Sequence, residues 1–255
     1  MDNDTAMTAD RNNAVVRQWV RLLPMLVSIL CLAGAQKSAA AHAAGTSPAD
    51  AASPPLITIR QFLEVAPSWG EGKQVRVRGT VTHSISDKTF FIQDADAGTY
   101  VFHKPPAAFR VGELVEVTGF PSLGSLAPTL HHCEARVIGP GTLPEPKPVT
   151  ASEARSGKYN MRVVRVRGLL TPERLRGGWI LVLNPGNGDK AFTADLELFS
   201  NLAPFDHLEP DSLLELTGVC TVRRDAAGTP AAFNIFIRSP GDISVVKPPP
   251  WWTPA

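Results

Sequence analysis

The chain has 255 residues, 44% hydrophobic and 19% charged, a composition that excludes a disordered or collagen-like polypeptide. Net charge is +1, and from Pro55 onward 21 Lys and Arg face 20 Asp and Glu, which argues against a basic domain built to track nucleic-acid phosphates. Three Cys, with no CxxC, are too few for a disulfide framework. Cys31 lies in the N-terminal apolar run, and Cys133 and Cys220 read as two buried free thiols in strands, with a pairing between them as the alternative.

In chain order, Arg11, Arg17 and Arg21 precede an apolar run from Leu22 to Ala35. A spanning helix needs about 20 apolar residues, and this run is shorter and contains Pro24. A positive segment before a short apolar core and small residues is the pattern of a secretory signal peptide, so residues 1–35 are predicted to direct export. An uncleaved N-terminal anchor is the alternative. Residues 36–55, rich in Ala, Ser, Thr and Pro, are predicted to be a disordered linker.

Two stretches then repeat. Val75-Arg76-Val77-Arg78-Gly79 returns as Val164-Arg165-Val166-Arg167-Gly168, offset by 89 residues. Leu114-Val115-Glu116-Val117-Thr118-Gly119 is echoed by Leu213-Leu214-Glu215-Leu216-Thr217-Gly218, offset by 99. Alternation at period two marks strands with one buried face, and self-similarity at this spacing marks a duplicated domain. The closing Gly suits a sharp bend where a Cβ would clash. The arginines fall on the outer face.

The first copy is predicted over 56–145. Thr58 caps a short helix carrying Ile59, Phe62 and Leu63 on one face. Strands are expected at Lys73–Thr82, Lys88–Gln93, Thr99–His103, Glu113–Phe120 and His132–Ile138. The second copy, over 146–247, repeats the helix after Val149. Its strands are expected at Arg162–Leu170, Trp179–Leu183 (aligned with the Phe90 strand at the same offset of 89), Lys190–Ala194, Leu213–Arg223 and Phe233–Arg238. The longer second offset is read as a ten-residue insert within Asp195–Asp211. Residues 248–255 form a Pro/Trp-rich tail. Five short strands, the first one bent at Gly, predict a mainly β protein of two tandem five-stranded OB-like barrels with short flanking helices. An immunoglobulin-like sandwich wants about seven strands.

On such barrels the second and third strands and their loops can bind oligonucleotides or oligosaccharides. The residues there that offer stacking or polar contact are Phe91, Tyr100, Phe102 and His103 in the first copy, and Trp179 and Phe192 in the second. These six are the candidate ligand-binding residues, with core packing the competing assignment for each. Period two puts His131 and Cys133 on one face, but two ligands do not make a metal site, and no metal or other cofactor is expected. Asp94 and Asp96 read as hairpin-turn residues rather than calcium ligands. No GxSxG or phosphate loop occurs, and no catalytic residues are assigned.

Taken together, "VRVRG", "FFIQDADAGTYV", "GELVEVTGF", "PEPKPVTASEARSGKYNMRVVRVRG", "NIFIRSPGDISVV" and "KPPPWWT" resemble the extracytoplasmic N-terminal region of bacterial sensor proteins of acidobacterial type. Those proteins are membrane histidine kinases and some diguanylate cyclases. The resemblance spans about Leu56 to Thr253 and implies a sensor domain placed before a membrane helix and a cytoplasmic output domain. Residues 1–255 carry no phosphoacceptor His motif and no kinase or cyclase domain, so no catalysis is expected to carry over. The expected function is that of a non-enzymatic periplasmic ligand-binding module of a signal-transduction protein. The expected partner is a small ligand or a periplasmic protein, close to the membrane, with no nucleic acid. A purely structural protein–protein module and an oligonucleotide- or oligosaccharide-binding protein are the alternatives.

Overall fold

Apolar residues alternate along most of the chain after residue 56, and the structure, a computed structural model, turns that alternation into two rings of strands. It describes residues 53–68, 72–123, 127–186 and 188–250. The predicted export segment, nearly all of the linker and the Trp251–Trp252 end of the tail lie outside the described residues. Among the described residues no helix is long and apolar enough to cross a membrane.

The first ring contains β2 (Val75–Ser84), β3 (Thr89–Gln93), β4 (Gly98–His103), β5 (Glu113–Leu123) and β6 (Pro128–Pro140). Its order is β2-β3-β4-β6-β5, closed by β5 pairing back to β2. The second contains β8 (Val163–Leu175), β9 (Ile180–Asn184), β10 (Phe192–Asp195), β11 (Leu213–Arg224) and β12 (Pro230–Phe236). It has the same order, β8-β9-β10-β12-β11, closed by β11 on β8. In each ring the third and fifth strands run parallel and every other pair is antiparallel. This is the five-stranded Greek-key closure of an OB-like barrel. Both barrels belong to one compact unit, residues 52–255.

The repeated Gly sits where the first strand of each barrel changes partner. β2 pairs with β5 over Val75–Thr80 and with β3 from Thr80 onward. β8 pairs with β11 over Val163–Leu169 and with β9 from Leu169. A strand shared by both sides of a small barrel must coil tightly there, so its inner face has no room. A Cβ on Gly79 would lie 3.1 Å from the Ile92 side chain, and one on Gly168 would lie 2.9 Å from the Phe192 ring. The arginines of the motif do point outward. Arg78 and Arg136 hold Glu116 at 2.8 and 2.7 Å, and Arg167 and Arg165 hold Glu215 at 2.7 and 3.7 Å. Hydrogen bonds from Arg136 and Arg78 keep the Glu116 carboxyl below the usual range.

Two elements escape a period-two reading. β1 (Leu56–Ile57) and β7 (Lys147–Pro148) are two-residue parallel additions to β2 and β8. Each leads into a helix, α1 (Ile59–Val65) and α2 (Ala151–Arg155). Thr58 and Thr150 cap these helices, with reciprocal bonds from Gln61 and Glu153. α1 delivers Ile59 and Phe62 to the first core, whereas α2 delivers only Ala151 and Ala154 to the second. Leu196, Phe205 and Leu208, from the segment between β10 and β11, join that second core.

The registers correct the predicted alignment of the copies. Gln93 pairs with Thr80 and Asn184 with Leu169, so β9 is offset from β3 by 91, not 89. Tyr100 pairs with Phe91 and Thr193 with Val182, so β10 is offset from β4 by 93. The ten extra residues are therefore spread over two hairpins and the β10–β11 segment rather than gathered in one insert. Each hairpin grows by two, which keeps the inward and outward faces in phase.

Candidate functional site

Barrel 1 carries a row of rings on the outer face of β3, β4 and β6. Phe91 lies 4.8 Å from Tyr100, Tyr100 lies 4.6 Å from Phe102 edge-on, and Phe102 lies 4.2 Å from His131, all between centroids. Cross-strand register makes the row. Phe91 pairs directly with Tyr100, and Phe102 follows two residues along the same face of β4. His131 reaches the row from β6 and its Nε2 lies 3.1 Å from the Thr129 hydroxyl.

The two ends of the row have different surroundings. Phe91 is 3% exposed because barrel 2 covers it with Met161, Val163 and Val219, with Phe236 packed alongside. His83 joins this seam, its ring 5.5 Å from Phe236 and 6.2 Å from Phe91. The polar contacts of the seam are few. The Val163 amide donates to Gln93 Oε1 at 2.8 Å. Gly98 lies so close to Met161 that an added Cβ would come 1.9 Å from its carbonyl oxygen. Tyr100, Phe102 and His131 are half-buried and lead away from the seam. Burial raises the Tyr100 hydroxyl above its usual range, partly offset by the Thr89 hydroxyl. Burial, followed by the neighbouring His132, lowers the His131 pKa from its ordinary value.

Of the six residues singled out in the sequence, the structure thus brings together three, Phe91, Tyr100 and Phe102, and places Phe91 in the seam. His103 points into barrel 1, 6% exposed and edge-on to Phe109 at 5.2 Å. Phe192 is 1% exposed and stacked on Phe233 at 4.6 Å in the core of barrel 2. Trp179 precedes β9 and packs, half-buried, against that same core. With the corrected registers, the counterparts of Phe91, Tyr100 and Phe102 are Val182, Thr193 and Asp195. The row of rings belongs to barrel 1 alone.

The pairing of His131 with Cys133 on one face is overturned. Thr118 pairs with Glu134 and Phe120 with His131, so Gly119 opposes both His132 and Cys133. This bulge, with His132 at φ 50°, resets the alternation. His131 faces out to Phe102, and Cys133 faces the core, where burial pushes its thiol up to about 12. Cys220 lies in the other core, also pushed up to about 12, and both thiols are free. Among the described residues no group of three or more His, Cys, Asp or Glu is arranged to hold a metal ion. Asp94 is fully engaged in the turn. Its carboxylate accepts the amides of Asp96 and Ala97 and, at 2.8 Å, that of Ile59 at the start of α1.

A cleft between tandem barrels is an expectation of the duplicated sequence, but the residues of the seam and of the cleft beside it are not marked in it. Phe90-Phe91-Ile92 and Val163-Val164 break the period-two pattern, and an apolar run in a strand means that both faces are covered. The cleft, about 330 Å³, is walled by α1 and the β3–β4 hairpin on one side and by residues 157–162, β11 and β12 on the other. Its cations, Arg60, Lys158, Arg162 and Arg224, are scattered in sequence, and only the fold gathers them.

No protein-family model matches the chain, and no curated protein matches it. Solved structures do. An OBody bound to hen egg-white lysozyme is 15% identical, covering 40% of this chain and 97% of its own, with a TM-score of 0.32. The telomere capping protein Ten1 from Saccharomyces pombe is 15% identical, covering 40% of this chain and 81% of its own, with a TM-score of 0.26. The barrel assignment rests on strand order and register, not on these likenesses.

Proposed function

We propose that the chain is an exported, non-enzymatic ligand-binding region of a signal-transduction protein, and that barrel 1 holds the ligand on the strip formed by Tyr100, Phe102 and His131. The observation that carries this reading is the row of rings itself. Three ring side chains at successive spacings of 4.6 and 4.2 Å stay half-exposed beside a fourth that is buried. Rings in contact present a continuous flat apolar face with polar edges. Barrel 1 (56–145) has 8 basic and 9 acidic residues, a balance that favours a neutral ligand such as a saccharide over a phosphate-bearing strand. The sensor-protein resemblance and the N-terminal segment supply the exported, signalling context.

The apolar seam supports a particular mode of action. Phe91 is shared between the strip and the contact with barrel 2, so a ligand that shifts Tyr100 presses on the seam through one ring. A thermal-shift screen of the full chain against neutral oligosaccharides and uncharged small metabolites tests the proposal. A ligand at 100 times its dissociation constant stabilises by about 2.7 kcal/mol, a rise of roughly 5–10 °C for a protein of this size. Phe102→Ala should abolish that rise. An unresponsive wild type, or a response that Phe102→Ala leaves intact, contradicts the proposal.

A further inference from the structure

The cleft between the barrels carries an unbalanced charge. Arg60, Lys158, Arg162 and Arg224 line it, against only Glu64 and Asp96. Among the described residues neither carboxylate forms an ion pair with any of the four cations. The cations are nevertheless held in place. Arg60 Nη2 donates to the Asp96 carbonyl at 3.2 Å and Arg224 Nη1 to the Gly228 carbonyl at 2.6 Å, which fixes each guanidinium through one nitrogen and leaves its other N–H groups free to donate. Lys158 and Arg162 lie over one and the same ring, that of Tyr159, at 5.5 and 5.7 Å. Arg162 Nε is shielded from solvent and has no hydrogen-bond partner. Beside this group the seam at Gly98 and Met161 locks the two walls together, so the positions are set before anything binds.

From this arrangement we infer that the inter-barrel cleft is a binding site for a small polyanion, a molecule carrying two or more carboxylate or phosphate groups. A multiply charged oxyanion satisfies guanidinium donors through paired N–H···O bonds and relieves the repulsion between the gathered cations. A cleft with low-dielectric walls also concentrates such ions. The volume of about 330 Å³ is at the small end of ligand sites, which fits a metabolite. The site shares no residue with the Tyr100–Phe102–His131 strip, and it stands whether or not a ligand binds there.

The test is a titration of the ¹⁵N-labelled full chain at low ionic strength, with citrate in one arm and pyrophosphate in the other. The amides of Gly98, Gly157 and Lys158 and the Nε–H of Arg162 and Arg224 are followed. The expected result is a saturable shift of these signals with at least one probe. Saturation by citrate alone assigns the site to carboxylates, and saturation by pyrophosphate alone to phosphates. Lys158 and Arg224 are exposed, so the double variant Lys158→Glu, Arg224→Glu should keep a dispersed spectrum. It should bind about a hundredfold more weakly, about tenfold per charge reversed. Phe102→Ala should titrate as the wild type does, which separates this site from the ring strip. Absence of saturation with both probes, or unchanged affinity in the double variant, overturns the inference.

Discussion

His83 shows most directly how one residue is shaped by the meeting of the barrels. A bulge in β2 between Val81 and His83 turns the imidazole out of barrel 1 and into the seam. There burial, aided by the Arg238 guanidinium and opposed by Asp242, lowers its pKa to about 4. Its Nε2 is buried without a partner, so the neutral ring is the form that fits. The consequence for stability has a definite sign. The unfolded chain takes up a proton near pH 6.5 and the folded chain only near 4. Stability is therefore complete above pH 6.5, falls between 6.5 and 4, and levels off below. The full loss from this residue is about 3 kcal/mol. Urea midpoints of the wild type and His83→Phe across that range check it. The variant should lose the part of the pH dependence that lies in this window, and an unchanged profile would contradict the assignment.

At the scale of elements, the β3–β4 hairpin does three things. It links β2 to β6 in barrel 1, ties down α1 through Asp94, and seats barrel 2 through Gly98. Gly98→Ala is expected to cost about 1–3 kcal/mol, because the new methyl meets a backbone oxygen that cannot rotate away. Thermal unfolding measures this, and a neutral result would mean that the barrels do not touch at that point. The elements also show what the sequence revealed. Most strands, both capped helices and the reason for the repeated Gly were legible, because period two and Thr caps are local signals. The two-residue strands β1 and β7 were not, because they are backbone pairings with no side-chain signature. The bulge at His132 was not, because a single inserted residue leaves no mark in one sequence. The two-residue growth of each second-copy hairpin was hidden for a related reason. It preserves alternation, so Trp179 and Phe192 looked like counterparts of the barrel 1 rings while the fold places them in or against the core.

In the whole molecule, duplication has produced two barrels with the same strand order and different outer faces. Barrel 1 keeps the rings; the matching positions of barrel 2, Val182, Thr193 and Asp195, carry none. One end of the row is spent on joining the barrels and the other end is left to solvent. Tertiary contact decided which ring was which, and this is why the candidate site was only half legible. Phe91, Tyr100 and Phe102 were identified as a set, but nothing local to Phe91 shows that a second domain covers it. The most direct measurement is an aromatic ¹H–¹³C spectrum of the full chain titrated with a panel of neutral oligosaccharides. Saturable shifts at Tyr100, Phe102 and His131, with Phe192 and Trp179 unmoved, are the expected result. Shifts confined to barrel 2, or none with any member of the panel, would contradict it.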